Sequence, residues 1–253
     1  MTEKELQQLG EKIIAYCNKF FIPPQFLLEI LEDQKVTPMI RGKAMEYNTF
    51  LLLTDILDSH AWSVQKLNLN AQPGAGDEDV SLTHKRSGVI LKIECKSAVR
   101  GSVKSGEHSR SIRVPHFNVK CHRSRSNIRL AKTSNDKYSV DSFDVIITNP
   151  LNAIYEGNTV GENLELVHDA ATCKMLYQHY NCTDSTDLIK KCAADWRYCL
   201  PSNIAVDGYI PRTPSVLLVN DPHWRPIGEL EKRLLQVVSI RIASKRNTQT
   251  RRT

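Results

Sequence analysis

Apolar residues return every three or four positions in several stretches of the chain, a spacing that gathers them on one face of a helix. Shorter runs between these stretches are apolar throughout or alternate between apolar and polar residues, as strands do. The pattern predicts helices over 5–20, 26–31, 42–57, 165–180, 185–199 and 227–240. It predicts strands over 62–69, 79–83, 89–96, 112–119, 143–148 and 216–219. Helices flanking central strands favour a layered α/β or α+β fold, and we expect α/β with a central mixed β-sheet flanked by helices.

The chain is 253 residues long and shows neither an internal repeat nor a sharp change of composition. We therefore expect a single domain over 1–253, with a helical N-terminal extension over 1–38 and a functional core over 40–150. No apolar run approaches the roughly 18 residues of a membrane span, and the first residues lack the apolar stretch of a secretory signal. The seven cysteines have no framework spacing, which is typical of reduced thiols and indicates a cytoplasmic protein.

Positive charge is concentrated in one part of the chain. The net charge is +6, yet 85–132 alone carries thirteen Lys and Arg residues against two acids. This basic segment indicates binding to a polyanion, and the serines among its bases suit phosphate oxygens. A solvated basic loop is the alternative interpretation. A second basic cluster occupies 241–252.

The second and third predicted strands form a hairpin that brings acidic residues together. Side chains alternate between the faces of a strand, so folding the pair about its turn places Val80 opposite Ile93 on an apolar face. The same register places Asp79 opposite Glu94 on the other face, where Lys96 lies two residues further on. Opposed Cβ atoms are about 4.5–5.5 Å apart, so the two carboxylates repel unless a cation lies between them. Hard oxygen ligands suit Mg²⁺, and an ammonium group beside the metal can hold its water.

This arrangement resembles the PD-(D/E)XK nuclease superfamily, of which the type II restriction endonucleases are members. The matching residues are Pro73, Asp79 and the run Glu94-Cys95-Lys96. The resemblance implies that Asp79, Glu94 and Lys96 are catalytic. It implies that Mg²⁺ is bound by Asp79, Glu94 and the main-chain carbonyl of Cys95, while the Cys95 side chain points into the core and Lys96 assists the attacking water.

Two further acids bear on the metal site. Many members of the superfamily carry a glutamate in the helix before the hairpin, and Glu46 matches it here as a possible metal ligand. The alternative for Glu46 is a half-exposed carboxylate paired with Lys43 or Arg41. The chain departs from the family pattern because its proline does not directly precede the acid. Asp77 is therefore a rival of Asp79 as first ligand, although the register favours Asp79.

The resemblance covers 42–150, makes 40–150 the catalytic core and implies a restriction endonuclease-like fold. The implied activity is that of a type II site-specific deoxyribonuclease, a Mg²⁺-dependent endonuclease that cuts double-stranded DNA, acts as a homodimer and accepts Mn²⁺ in place of Mg²⁺. Two alternatives stay open: a structure-specific repair or junction nuclease of the same superfamily, and a catalytically inactive nucleic-acid-binding protein. The candidate DNA contacts in the basic segment are Arg110, Arg113, Lys120, Arg123, Arg125 and Arg129.

Other clusters of reactive residues carry weaker signals. A zinc site is disfavoured because no C-x₂-C pair occurs among the nearest candidates. These candidates are Cys173, His179, Cys182, Cys192 and Cys199. Asp144 precedes a buried strand and could be a further metal ligand, but its position favours a role in the turn that ends the strand.

Overall fold

A computed structural model of the protein describes residues 1–33, 35–66, 79–107, 112–122, 136–157, 164–167 and 169–250. The α-helices of these residues are α1 Glu3–Phe20, α2 Leu27–Glu32, α3 Thr37–Ile56, α4 Ala170–Tyr180, α5 Ser185–Ala194, α6 Pro201–Ile204 and α7 Leu230–Thr250. The strands are β1 Trp62–Lys66, β2 Val80–His84, β3 Val89–Cys95, β4 His116–Asn118, β5 Val145–Thr148, β6 Tyr155–Gly157, β7 Leu164–Leu166, β8 Arg197–Cys199, β9 Ser215–Leu217 and β10 Arg225–Pro226. The predicted helices at 5–20, 26–31 and 42–57 are confirmed as α1, α2 and α3.

Six strands form a mixed central sheet in the order β1-β2-β3-β5-β8-β10. The pair β3 and β5 is parallel, and the other neighbours are antiparallel. Helices cover the sheet, so the predicted α/β class is confirmed. Because β3 lies between β2 and β5, its backbone is bonded on both sides. The strand predicted to carry the chemistry therefore lies in the interior of the sheet.

The hairpin of β2 and β3 has the predicted register. Val80 pairs with Ile93 and Leu82 pairs with Leu91. The turn is closed by Gly88, whose N–H donates to the carbonyl of His84 at 2.9 Å and whose φ of +65° favours glycine. A one-residue slip would move every apolar side chain of the pair to the opposite face, so burial fixes this register.

Each face of the central sheet packs against its own group of elements. Leu53 of α3 and Leu234 of α7 are fully buried with Leu91 on the first face. On the second face Ile146 of β5 lies in a core with Leu176 of α4, and this core also includes α5 and the β4–β9 pair. Glu94 pairs with Ile146 in the parallel β3–β5 ladder and therefore belongs to this second face.

The helix predicted at 185–199 is wrong beyond residue 194. The chain leaves α5 at Ala194, and Arg197–Cys199 is β8, a strand of the central sheet. Its Cys199 pairs with Ile146 of β5. Aromatic residues are favoured in strands, so the run from Trp196 to Cys199 contained a strand signal that continued helical spacing had hidden.

Other boundaries shift for local reasons. The helix predicted from 165 begins only at Ala170, because the Asp169 side chain accepts the Thr172 N–H at 2.8 Å and caps the helix there. Residues 164–166 form β7 instead. The strand predicted over 112–119 is reduced to β4, which follows Pro115, and the final helix runs ten residues beyond its predicted end at 240.

Among the described helices, none is both long and apolar enough to cross a bilayer. The single-domain organisation and the cytoplasmic location stay predictions.

Candidate active site

Glu94 and Lys96 are positioned by the central strand β3. Glu94 is 1% exposed and lies in the ladder with β5. Lys96 follows the end of the strand, and its backbone N–H donates to the Ile147 carbonyl of β5 at 3.0 Å. Residues two positions apart in an extended chain point to the same side, so both charged side chains leave the second face of the sheet.

The Glu94 carboxylate and the Lys96 ammonium form a buried ion pair. Their side chains are 2% and 17% exposed. Burial lowers the pKa of Lys96, but Glu94, Tyr138 and Asp79 together more than offset that effect and hold the pKa well above its usual value. Lys96 is therefore a cation in the folded protein, and the low exposure of both side chains distinguishes this pair from a solvated pair on the surface.

Tyr138 completes the surroundings of the ammonium group. Its hydroxyl oxygen lies 3.5 Å from Nζ of Lys96, and Nζ lies 5.0 Å from the centre of its ring. A cation over the face of an aromatic ring is stabilised electrostatically. Tyr138 therefore fixes where the charge of Lys96 is held.

Asp79 reaches the site through its side chain. The β2–β3 ladder ends at the pair Val80–Ile93, and Asp79 lies one residue beyond it, with its N–H donating to the Ile93 carbonyl at 3.2 Å. Its Oδ2 accepts the N–H of Cys95 at 2.9 Å. The carboxylate is thus held at the end of β3, between the backbone of the E-x-K motif and the charge of Lys96.

The pKa of Asp79 is raised to about 6. Burial is the main cause, and the negative charge of Glu46 adds to it. The positive charges of Lys96 and Lys66, and the hydrogen bond from Cys95, act in the opposite direction. A cation placed beside this carboxylate would favour its ionised form.

Glu46 of α3 faces the sheet and is bound by two lysines. Lys43 of the same helix donates to its oxygens at 2.8 and 2.9 Å, and Lys66 of β1 donates at 2.8 Å. The side chain of Glu46 is 12% exposed. Glu46 therefore faces inward, as the metal-ligand interpretation expects, and also pairs with Lys43, as the alternative interpretation expects. Arg41 instead lies over the ring of Tyr155 at 4.6 Å.

The donor set suits a hard cation with few protein ligands. Mg²⁺ is usually held by one or two carboxylates together with waters and substrate phosphates. Within the described ranges, no group of three or more His, Cys, Asp and Glu side chains converges closely enough to hold a metal ion. Asp79 and Glu94 supply two carboxylates beside Lys96, which is the number that Mg²⁺ commonly takes from a protein.

Two of the six candidate DNA contacts can be placed. Arg113 and Lys120 are exposed, and the backbone of Lys120 donates to the Ser97 carbonyl at 3.2 Å, one residue after Lys96. The candidates that lie outside the described residues are Arg110, Arg123, Arg125, Arg129 and the alternative first ligand Asp77.

Asp144 has the structural role that its position favours. It accepts the Lys92 N–H at 2.7 Å, while its own N–H donates to the Lys92 carbonyl at 2.9 Å. Its other oxygen pairs with Arg241 of α7, which also donates to the Ile90 carbonyl at 2.7 Å. Asp144 thus joins the start of β5 to β3.

Sequence reasoning missed Tyr138 and Lys66. Tyr138 lies 42 residues after Lys96, and nothing in its local sequence marks it. Lys66 had a usable signal, because the alternation of β1 places it on the same face as Trp62 and Val64, where a cation needs a partner such as Glu46.

The raised pKa of Asp79 predicts a pH-dependent stability. The folded state retains a proton that the unfolded chain releases near pH 4, so stability falls as the pH rises from about 4 to about 6. In EDTA, Asp79→Asn should therefore raise the free energy of unfolding at pH 7.5 by an amount on the order of 3 kcal/mol. Below about pH 4 the difference should vanish. Urea unfolding of both proteins across this range measures it, and a pH-independent difference would contradict the shift.

Comparisons with known proteins add little. No family model and no curated protein matches the chain. Among solved structures, a bacterial homing endonuclease aligns over 46% of this chain and 56% of its own, with 17% identity and a TM-score of 0.25. A superposition this weak carries no argument about activity.

Proposed function

We propose that the protein is a Mg²⁺-dependent endonuclease that hydrolyses phosphodiester bonds of double-stranded DNA. The observation that carries the proposal is the buried Glu94–Lys96 pair with the Asp79 carboxylate at the end of the same strand. The basic segment 85–132 contains this strand and continues directly beyond it, so the site and the positive charge are continuous along the chain.

A purely structural role explains this cluster poorly. A buried ion pair adds little net stability, because the cost of removing both charges from water offsets their attraction. Asp79 adds a third charge with a pKa raised to about 6. Groups with perturbed pKa values gather at functional sites, since catalysis requires them there.

The side chains have separate roles in the proposed hydrolysis. Asp79 and Glu94, with the Cys95 carbonyl, hold Mg²⁺, and Glu46 supports the site from α3. The metal, when bound, supplies a water of lowered pKa and charge for the phosphate oxygens. Lys96, held as an ammonium group, donates a hydrogen bond that orients the attacking water and stabilises the negative charge that develops on the phosphate. Mn²⁺ accepts the same oxygen ligands and should replace Mg²⁺.

The proposed endonuclease cuts at specific sequences, as type II enzymes do. Incubation of supercoiled plasmid with the protein and Mg²⁺ should give discrete fragments. Nicking or smearing would favour a structure-specific nuclease of the same chemistry. Retained DNA binding with no cleavage in Mg²⁺ or Mn²⁺ would contradict the proposed activity.

We further propose that two copies of the chain pair through α1. Its apolar residues follow a spacing of three and four positions, which is the seam of paired helices. These residues are 39–56% exposed, whereas Cys17 is buried. Glu3 and Glu5 lie in the first turn of α1 and Lys19 in the last, so antiparallel pairing across a two-fold axis brings acidic ends to basic ends. The seam residues are Leu6, Leu9, Ile13, Tyr16 and Phe20.

The dimer is tested by charging its seam. The double variant Leu9→Glu, Ile13→Glu should raise the dimer dissociation constant by at least about 100-fold. Two exposed apolar residues of each α1 become carboxylates, which repel the same carboxylates on the second copy. Light scattering coupled to gel filtration measures the mass. Ile240→Glu, at a more exposed site on α7, is the control and should leave the dimer intact. A wild-type monomer at micromolar concentration would contradict the pairing.

A further inference from the structure

A cavity of about 250 Å³ opens beside the candidate active site. One wall is the first turn of α3, and the opposite wall is the segment that follows Lys96. Its volume is below the roughly 300–1,000 Å³ of pockets that enclose drug-sized ligands. The cavity therefore suits a small group rather than a whole nucleotide or cofactor. Its polar lining comes from Thr37, Arg41, Ser97, Arg100, Lys120 and Asn152.

Three of the lining side chains are cations that the described protein leaves without a carboxylate. Ion pairs are found for other lysines and arginines in these ranges, but not for Arg41, Arg100 or Lys120. Burial lowers the pKa of Arg41, and the charge of Arg100 lowers it further. Like charges held this close lack a counter-ion, and a bound anion would supply it.

The walls of the cavity are fixed by hydrogen bonds. Asn152 donates its side-chain N–H to the Ala98 carbonyl at 2.6 Å, and the Val99 N–H donates to the Asn118 carbonyl at 2.7 Å. The guanidinium of Arg41 is held over Tyr155 at 4.6 Å. The walls and Arg41 are thus preformed, which lowers the cost of binding a ligand there, while the exposed side chains of Arg100 and Lys120 lie at the same cavity.

The chemistry of this lining selects a tetrahedral oxyanion. Arginine forks match phosphate oxygens, and the N-terminal end of a helix as long as α3 adds positive potential. Ser97 is the residue after Lys96, so a group in the cavity lies next to the reacting centre along the chain.

From these observations we infer that the cavity binds one backbone phosphate of the DNA substrate, beside the phosphodiester that is cut. This inference rests on the proposed function and names a contact that fixes the substrate relative to Lys96. The three cations share a single phosphate, so they act as one site. A free phosphate ion offers the same chemistry, and the experiment separates the two sources.

The test measures binding of a fluorescent B-form duplex in Ca²⁺, without cleavage, at several salt concentrations. Each neutralised phosphate contributes about 0.9 to the slope of log affinity against log salt. The double variant Arg41→Gln, Arg100→Gln should lower this slope by about 0.9, and adding Lys120→Gln should lower it no further. The matched control is Arg225→Gln, an exposed arginine of β10 at the far edge of the central sheet and outside the basic segment, which should leave the slope unchanged.

Three results would overturn the inference. The first is an unchanged slope in the double variant. The second is a triple variant that loses roughly 2.7, which is the value of three separate phosphates. The third concerns inorganic phosphate: it raises the melting temperature of the wild type but not that of the double variant, while both proteins bind DNA equally well. That result would assign the cavity to a free phosphate ion. If the slope falls as expected but plasmid is never cut, the phosphate site stands and the nuclease proposal fails.

Discussion

Glu94→Gln should abolish cleavage of supercoiled plasmid in Mg²⁺ while the protein still binds duplex DNA. The carboxylate is one of two acids available to the metal, and the neutral amide keeps its shape but removes the charge. Lys96→Met should have a similar effect, because the proposed hydrolysis loses the cation that orients its water. Removal of one such group lowers kcat by about 10²–10³-fold in comparable sites. The rate of loss of supercoiled DNA measures both variants.

The control for the first ligand is Asp77→Ala. It should remain active, whereas Asp79→Ala should not, because Asp79 is the acid bonded to Cys95. If the two results are exchanged, Asp77 holds the metal and Asp79 has a structural role. Cleavage by Glu94→Gln at the wild-type rate would remove the basis of the proposed function.

Lys96→Met should also reduce the free energy of unfolding, by about 3–5 kcal/mol, because it leaves the Glu94 carboxylate buried without its partner. The double variant Glu94→Gln, Lys96→Met removes both charges and should recover most of that loss. It should remain inactive. Urea unfolding of the wild type, both single variants and the double variant gives the coupling energy between the two residues.

The exposed pair of Lys191 and Asp187 on α5 is the matched control. Nζ of Lys191 lies 2.9 Å from Oδ2 of Asp187, but both side chains are more than a third exposed, so water screens the interaction. Lys191→Met should change stability by less than about 0.5 kcal/mol. Equal losses at Lys96 and Lys191 would show that burial does not strengthen the first pair.

The hairpin was predictable because its signal is local. Two alternating runs separated by a short turn leave one register that buries Val80 and Ile93 together, and the structure has it. The same alternation placed Glu94 and Lys96 on one side of the sheet. Their burial could not be read from β3 alone, because it depends on β5 and on the core around Ile146.

The elements that were misassigned depend on distant partners. The run Arg197–Cys199 becomes a strand because it pairs with β5, and its short aromatic signal alone did not outweigh the helical spacing that precedes it. Tyr138 reaches Lys96 from a segment far along the chain. Likewise, the register suggested that a metal ion must separate Asp79 from Glu94, whereas the charge of Lys96 already acts on both carboxyl groups.

The two acids are tied to different parts of the sheet, and this gives them different local stabilities. Glu94 lies in the β3–β5 ladder and Lys96 donates its backbone N–H to Ile147 of β5, so the two leave their places only when β3 separates from β5. Asp79 lies past the last rung of β2 and can detach by fraying of that end alone. Displacement of Asp79 therefore breaks fewer contacts than displacement of the Glu94–Lys96 pair. A Mg²⁺ ion bound as proposed would be released first by Asp79, with the Glu94–Lys96 pair still assembled.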